Sequence, residues 1–131
     1  MVDLPPTIDV PTCMVEAAER YQIPLRAFMA LRITEGGKLG MQKVNKNGTI
    51  DYGPFQINTV WAKQLNADFG ITPDMLTNDF CTAAYASAYI IKYHILQAKG
   101  DFWQGIGRYH SKTPALNLAY QGRVYLNSLR F

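Results

Sequence analysis

The spacing of apolar and polar positions along the chain is mostly helical. Residues 12–22 form a short amphipathic stretch that follows Pro11 and ends before Pro24. Pro24 holds a favoured first-turn position for a second helix, running through Leu25, Phe28, Ala30 and Leu31 to Glu35. Gly36-Gly37 stops it, because glycine adopts the left-handed conformation that closes a helix. Residues 38–53 break the pattern. They are polar and rich in turn formers, with Asn47-Gly48 as a hairpin signal, and predict a loop or a short irregular β-ribbon.

Helical spacing then resumes. A helix is expected to open near Pro54, with Ile57, Val60, Trp61 and Leu65 on one face, and to close at Gly70. Thr72-Pro73 starts a short helical turn capped by Thr72. The longest helix is expected from about Asp79 to Lys99, its alanines at 83, 84, 86 and 88 allowing close approach of neighbouring helices. Asp101 caps a short helix holding Trp103 and Ile106, and Thr113-Pro114 opens a last one with Leu116, Tyr120, Val124 and Leu129 inward. The expected fold is mainly α, with one non-helical excursion directly after Glu35.

At 131 residues and 48% hydrophobic, the chain has the size and apolar content of one compact domain, 1–131, with 1–10 as an extended N-terminal segment. No apolar run approaches the roughly 20 residues that a membrane-crossing helix needs. Nor does Met1-Val2-Asp3-Leu4-Pro5-Pro6 show the basic and apolar regions of a signal peptide. The formal charge is +3, scattered along the sequence, which predicts no nucleic-acid partner. No GxGxxG, P-loop or HExxH pattern is present, so neither cofactor nor metal is expected. Cys13 and Cys81 lie in no CxxC spacing, and two thiols cannot complete a four-ligand zinc site. Either they are reduced and buried, or they form one long-range disulfide.

Two carboxylates bracket the excursion. Glu35 ends an apolar helix, where the negative end of the helix dipole and apolar neighbours favour the protonated form that a general acid needs. A residue that caps the helix or salt-bridges at the surface is the plain alternative. Asp51 lies where the chain returns toward Pro54, and two carboxylates facing each other across a cleft are what glycoside hydrolysis uses. A turn aspartate bonding its own backbone is the plain alternative.

Four motifs, in order over residues 30–124, resemble those of c-type lysozymes and lysozyme-like lytic transglycosylases. They are the helix end Ala30-Leu31-Arg32-Ile33-Thr34-Glu35-Gly36-Gly37, the segment Asp51-Tyr52-Gly53-Pro54-Phe55-Gln56-Ile57-Asn58, Gly107-Arg108-Tyr109-His110-Ser111 and Tyr120-Gln121-Gly122-Arg123-Val124. In length and cysteine placement the chain most resembles the small specialised transglycosylases that accompany type III and type IV secretion, conjugation and type IV pili. The resemblance implies an SLT-domain, goose-lysozyme-like helical fold and a Cys13–Cys81 disulfide. It also implies a monomeric periplasmic enzyme acting on peptidoglycan glycan strands, with components of such a machine as partners.

It further implies a reaction. Glu35 is the catalytic acid and Tyr120 orients it; Gln56 reaches the sugar's N-acetyl group, while Tyr52, Asn58, Tyr109 and His110 line the sugar subsites. His94, on the long helix without a ligand-spaced partner, reads as structural, and both tryptophans read as core. Three departures stand out. Gly36 replaces the serine common after the acid, His110 stands where many members have Asn, and Asp51 supplies a carboxylate that many transglycosylases lack and c-type lysozymes use. Lysozyme-type hydrolysis through Glu35 and Asp51, or glycan binding without cleavage, are the alternative readings.

Overall fold

The computed structural model describes residues 3–131; Met1 and Val2, part of the expected extended segment 1–10, lie outside the described residues. Residues 3–10 are irregular, with one turn closed by the Ile8 amide donating to the Pro5 carbonyl at 3.0 Å. The chain divides into two compact units, residues 1–34 with 88–131, and residues 35–87. Seven helices and a small antiparallel sheet make up the fold among the described residues, so it is mainly α as expected.

The first unit contains α1 (Thr12–Tyr21), α2 (Leu25–Glu35) up to Thr34, the second half of α5 (Phe80–Gln97), α6 (Phe102–His110) and α7 (Pro114–Ser128). Its core is built from Met14, Phe28, Leu31, Ile91, Ile106 and Val124, all fully buried. Arg26 ties the chain ends to this core. Its amide donates to the Asp3 carboxylate at 2.7 Å, and its guanidinium donates to the carbonyls of Ser128 and Phe131 at 3.0 and 2.9 Å. A cation there also meets the negative end of the α7 dipole.

The inner face of α7 differs from expectation. Tyr120 and Val124 are buried, but their companions are Asn117 and Ser128, while Leu116 and Leu129 are 51% and 61% exposed. Asn117 is drawn inward because its amide donates to the carbonyls of Gln104 and Ser111, at 3.3 and 3.1 Å, and its own oxygen accepts from Gln121. Satisfying these two part-buried carbonyl bonds outweighs the apolar transfer of one leucine. Trp61 and Trp103 are half-buried, not core.

His94 is buried in this unit. Burial first, then the nearby Lys112 and Arg108 cations, pushes its imidazole down from 6.5 to about 4. Between those values the unfolded chain takes up a proton that the folded chain refuses, so stability falls as pH drops from 6.5 towards 4. The linkage amounts to about 3 kcal/mol at most. Urea unfolding at pH 7 and at pH 4.5 should show a smaller acid loss for His94→Gln than for the parent. Equal losses would refute the assignment.

The second unit holds β1 (Gln42–Val44), β2 (Ile50–Tyr52), β3 (Ile57–Asn58), α3 (Thr59–Phe69), α4 (Pro73–Asn78) and the first half of α5. The strands run in the order β1-β2-β3, so the excursion after Glu35 is a β-ribbon extended by a third short strand. The helix expected to open near Pro54 begins instead at Thr59. Gly53 and Gln56, with φ of 70° and 53°, bend the chain into a turn, so that Ile57-Asn58 pairs with Asp51-Tyr52. Asn58 then caps α3, its side-chain oxygen accepting from the Val60 amide at 3.2 Å. Ile57 therefore enters the core from a strand, and Val60 is 69% exposed. Phe55 packs edge-on against Phe80, with ring centroids 5.6 Å apart.

Candidate active site

In the second unit, Glu35 is half-buried at the last position of α2. Gly36 follows with φ 67°, a left-handed conformation that strains any residue with a Cβ and so disfavours the serine common at this position. The chain then runs against the turn after β2. A Cβ on Gly37 would collide with the Gly53 carbonyl and lie 2.9 Å from the Gln56 side-chain nitrogen. The exit of the acid-bearing helix is thereby held against the segment Gly53–Gln56.

That turn is braced from within. Gln56 is buried, takes a positive φ of 53°, and donates from its side chain to the Gly53 carbonyl at 2.8 Å. The Gly53 amide donates to the Met41 carbonyl at 2.7 Å. A Cβ on Gly53 would strike the Leu76 carbonyl, and its φ of 70° is unfavourable for any other L-residue. Gly53→Ala is accordingly expected to destabilise the protein by roughly 2 kcal/mol or more. A thermal melt within a degree or two of the parent would show that the turn yields more readily than this.

Asp51 sits opposite Asn58 in the β2–β3 pair, and the Asn58 amide donates to its carboxylate at 2.9 Å. The same amide also reaches the Thr49 hydroxyl oxygen at 3.1 Å, while Asn45 donates to that oxygen from the other side at 3.1 Å. The Thr49 hydroxyl in turn donates to Asn47 at 2.7 Å. Thr59 fastens the strand, accepting from the Ile50 amide at 2.8 Å. Asp51 is thus half-buried with one oxygen fixed by a bonded chain of short polar side chains. Asn45, Asn47 and Thr49 were not among the residues expected to matter. Their only sequence trace is the Asn-Lys-Asn-Gly-Thr turn composition.

Alternation along β2 turns Tyr52 to the face opposite Asp51. Tyr52 is buried and lines a cavity of about 360 Å³ with Thr59, Ala62, Lys63, Asn66 and Pro73. Asp51, Gln56 and Asn58 are therefore gathered on the ribbon and its turn, with Glu35 leading into Gly37 beside them. Tyr52 stands apart.

The remaining expected residues lie in the first unit. Tyr109 is half-buried and His110 exposed at the end of α6. His110 stacks on the buried Tyr120 of α7, with centroids 5.1 Å apart and an interplanar angle of 11°. The Arg123 guanidinium lies 5.4 Å from the same ring. Arg123 lies one helical turn after Tyr120, a spacing that could have signalled this cation–π contact.

IpgF of Shigella flexneri is 31% identical over 124 residues, covering 90% of this chain and 80% of the relative. The chain belongs to the IpgF family. IpgF of Shigella sonnei matches at 31% identity over 125 residues with the same coverage. The invasion protein IagB of Salmonella typhimurium strain LT2 is 28% identical over 102 residues, 77% of this chain and 62% of the relative. No family model matches the chain. Both cysteines of this family member, Cys13 and Cys81, are disulfide-bonded, as the motif resemblance implied. Among the described residues, no helix is long and apolar enough to cross a membrane.

Proposed function

We propose that the protein is a peptidoglycan lytic transglycosylase that cleaves the β-1,4 bond between N-acetylmuramic acid and N-acetylglucosamine. The observation that carries the reading is the close approach of Gly37 to the Gly53–Gln56 turn, which sets the exit of the Glu35 helix beside the ribbon bearing Asp51. Membership of the IpgF family, and likeness to a protein named for invasion, support it.

The reaction needs one proton donor that later becomes a base. Neutral Glu35 protonates the glycosidic oxygen as the C1–O bond breaks, and the substrate's own acetamide stabilises the cation at C1. The Glu35 carboxylate then takes the proton of the muramoyl C6 hydroxyl, whose oxygen bonds to C1 and closes a 1,6-anhydro ring. The carboxyl group ends as it began. Gln56 and Asn58 contribute to sugar binding on the ribbon, Tyr109 and His110 line further subsites, and Tyr120 orients the acid. An oxidised Cys13–Cys81 pair suits the periplasm, where thiols pair. There the activity would open the wall locally for a secretion, conjugation or pilus machine.

One observation favours a second reading. The bond from Asn58 holds Asp51 in a fixed orientation, as a nucleophile or cation stabiliser in a lysozyme-type hydrolase requires. Release of soluble muropeptides from purified sacculi tests the proposal, and Asp51→Asn separates the readings. A transglycosylase relying on the acetamide should lose less than about tenfold, a hydrolase relying on Asp51 about 100-fold or more. No release by the parent protein would overturn both.

A further inference from the structure

α7 packs one face into the core and leaves another uncovered. Asn117, Tyr120, Val124 and Ser128 point inward, whereas Leu118, Tyr125, Leu126 and Leu129 are between 52% and 68% exposed. At 3.6 residues per turn these four, with Ala115 and Gly122 between them, occupy one sector of about 100°. Trp103 of α6 meets Tyr125 edge-on at the margin of that sector, with centroids 6.1 Å apart. Singly exposed leucines are ordinary, but a continuous apolar stripe along a helix marks a contact surface.

The charge of the same segment is one-sided. All ten Asp and Glu residues lie within residues 1–101, together with nine of the thirteen Lys and Arg. Residues 102–131 carry the other four, Arg108, Lys112, Arg123 and Arg130, and no carboxylate. The net positive charge therefore resides entirely in α6, α7 and their flanks. On the helical wheel Arg123 lies about 60° beyond the stripe, its guanidinium over the Tyr120 ring, and Arg130 directly follows Leu129; both are exposed.

We propose that this face binds the surface of an anionic phospholipid bilayer. An apolar stripe with Tyr and Trp at its edge and cations alongside is how interfacial helices enter the boundary between headgroups and acyl chains. The stripe has no use on a carbohydrate polyanion, and the missing carboxylates have none on a zwitterionic surface. A second copy fits less well, because pairing two such faces brings their cations together without a counter-charge.

Co-sedimentation with vesicles tests the proposal. The full chain should bind phosphatidylcholine vesicles containing phosphatidylglycerol, weakly or not at all vesicles of phosphatidylcholine alone, and less as salt is raised. The double variant Leu118→Gln/Leu129→Gln should bind at least about tenfold more weakly. Arg130→Gln should reduce binding to the anionic vesicles alone. Both variants should keep the parent's thermal melt and its muropeptide release, so that loss of folding or of catalysis is read separately. Failure to bind phosphatidylglycerol vesicles overturns the proposal. So does binding that survives the leucine changes, which reduces the effect to plain adsorption of charge. A concentration-dependent dimer in sedimentation velocity, abolished by the same leucine changes and without vesicle binding, assigns the face to a second copy instead.

Discussion

Replacing Glu35 by glutamine is expected to lower muropeptide release by at least about 100-fold while leaving the fold intact. The amide is nearly isosteric with the acid and can still accept and donate hydrogen bonds, so binding of the glycan should persist. It cannot deliver a proton to the leaving oxygen or recover one from the C6 hydroxyl, and the proposed reaction asks both of the same side chain. Glu35 is half-buried at the helix end, so the change leaves the apolar core untouched. Unchanged activity would remove Glu35 from the chemistry. Absence of activity in parent and variant alike, with glycan binding kept by both, would make the protein a binding module.

Loss of the disulfide is expected to cost about 4 kcal/mol of stability. Cys13 and Cys81 are far apart in sequence, and in the chain-entropy picture a cross-link closing a loop this long restricts the unfolded chain strongly. Denaturant unfolding with and without reductant, and of Cys13→Ser/Cys81→Ser, measures the difference. A midpoint that reductant does not move would show that the bond contributes little. The same loss should make the protein hard to accumulate in a reducing compartment, in keeping with a periplasmic site of action.

Helix ends were the most legible part of the fold, because capping is local chemistry. Gly36 and Gly70 take the positive φ expected of them, and Thr72 and Asp101 accept from backbone amides of the helices they open. Less legible was anything decided by partners distant in sequence. Pro54 reads as a helix start, and only the pairing of Ile57-Asn58 with β2 moves that start to Thr59. The phase of α7 is not legible from leucine spacing, which turns Leu116 and Leu129 inward, whereas the carbonyls of Gln104 and Ser111 draw in Asn117. Of the candidate site, Glu35, Asp51, Gln56 and Asn58 are legible as motif residues. The reach of Asn58 to Thr49 and the stacking of His110 on Tyr120 depend on contacts between separate segments, which spacing does not reveal. The net charge, uninformative as a total, becomes informative once its excess is traced to residues 102–131.

The central claim concerns how the cleaved sugar ends. Purified sacculi digested by the protein, reduced with borohydride and analysed by mass spectrometry report that end directly. Transglycosylase chemistry predicts 1,6-anhydromuramoyl termini, which have no free anomeric carbon and resist reduction. Muramic ends that take up hydride would contradict it and assign the protein to hydrolysis through Glu35 and Asp51.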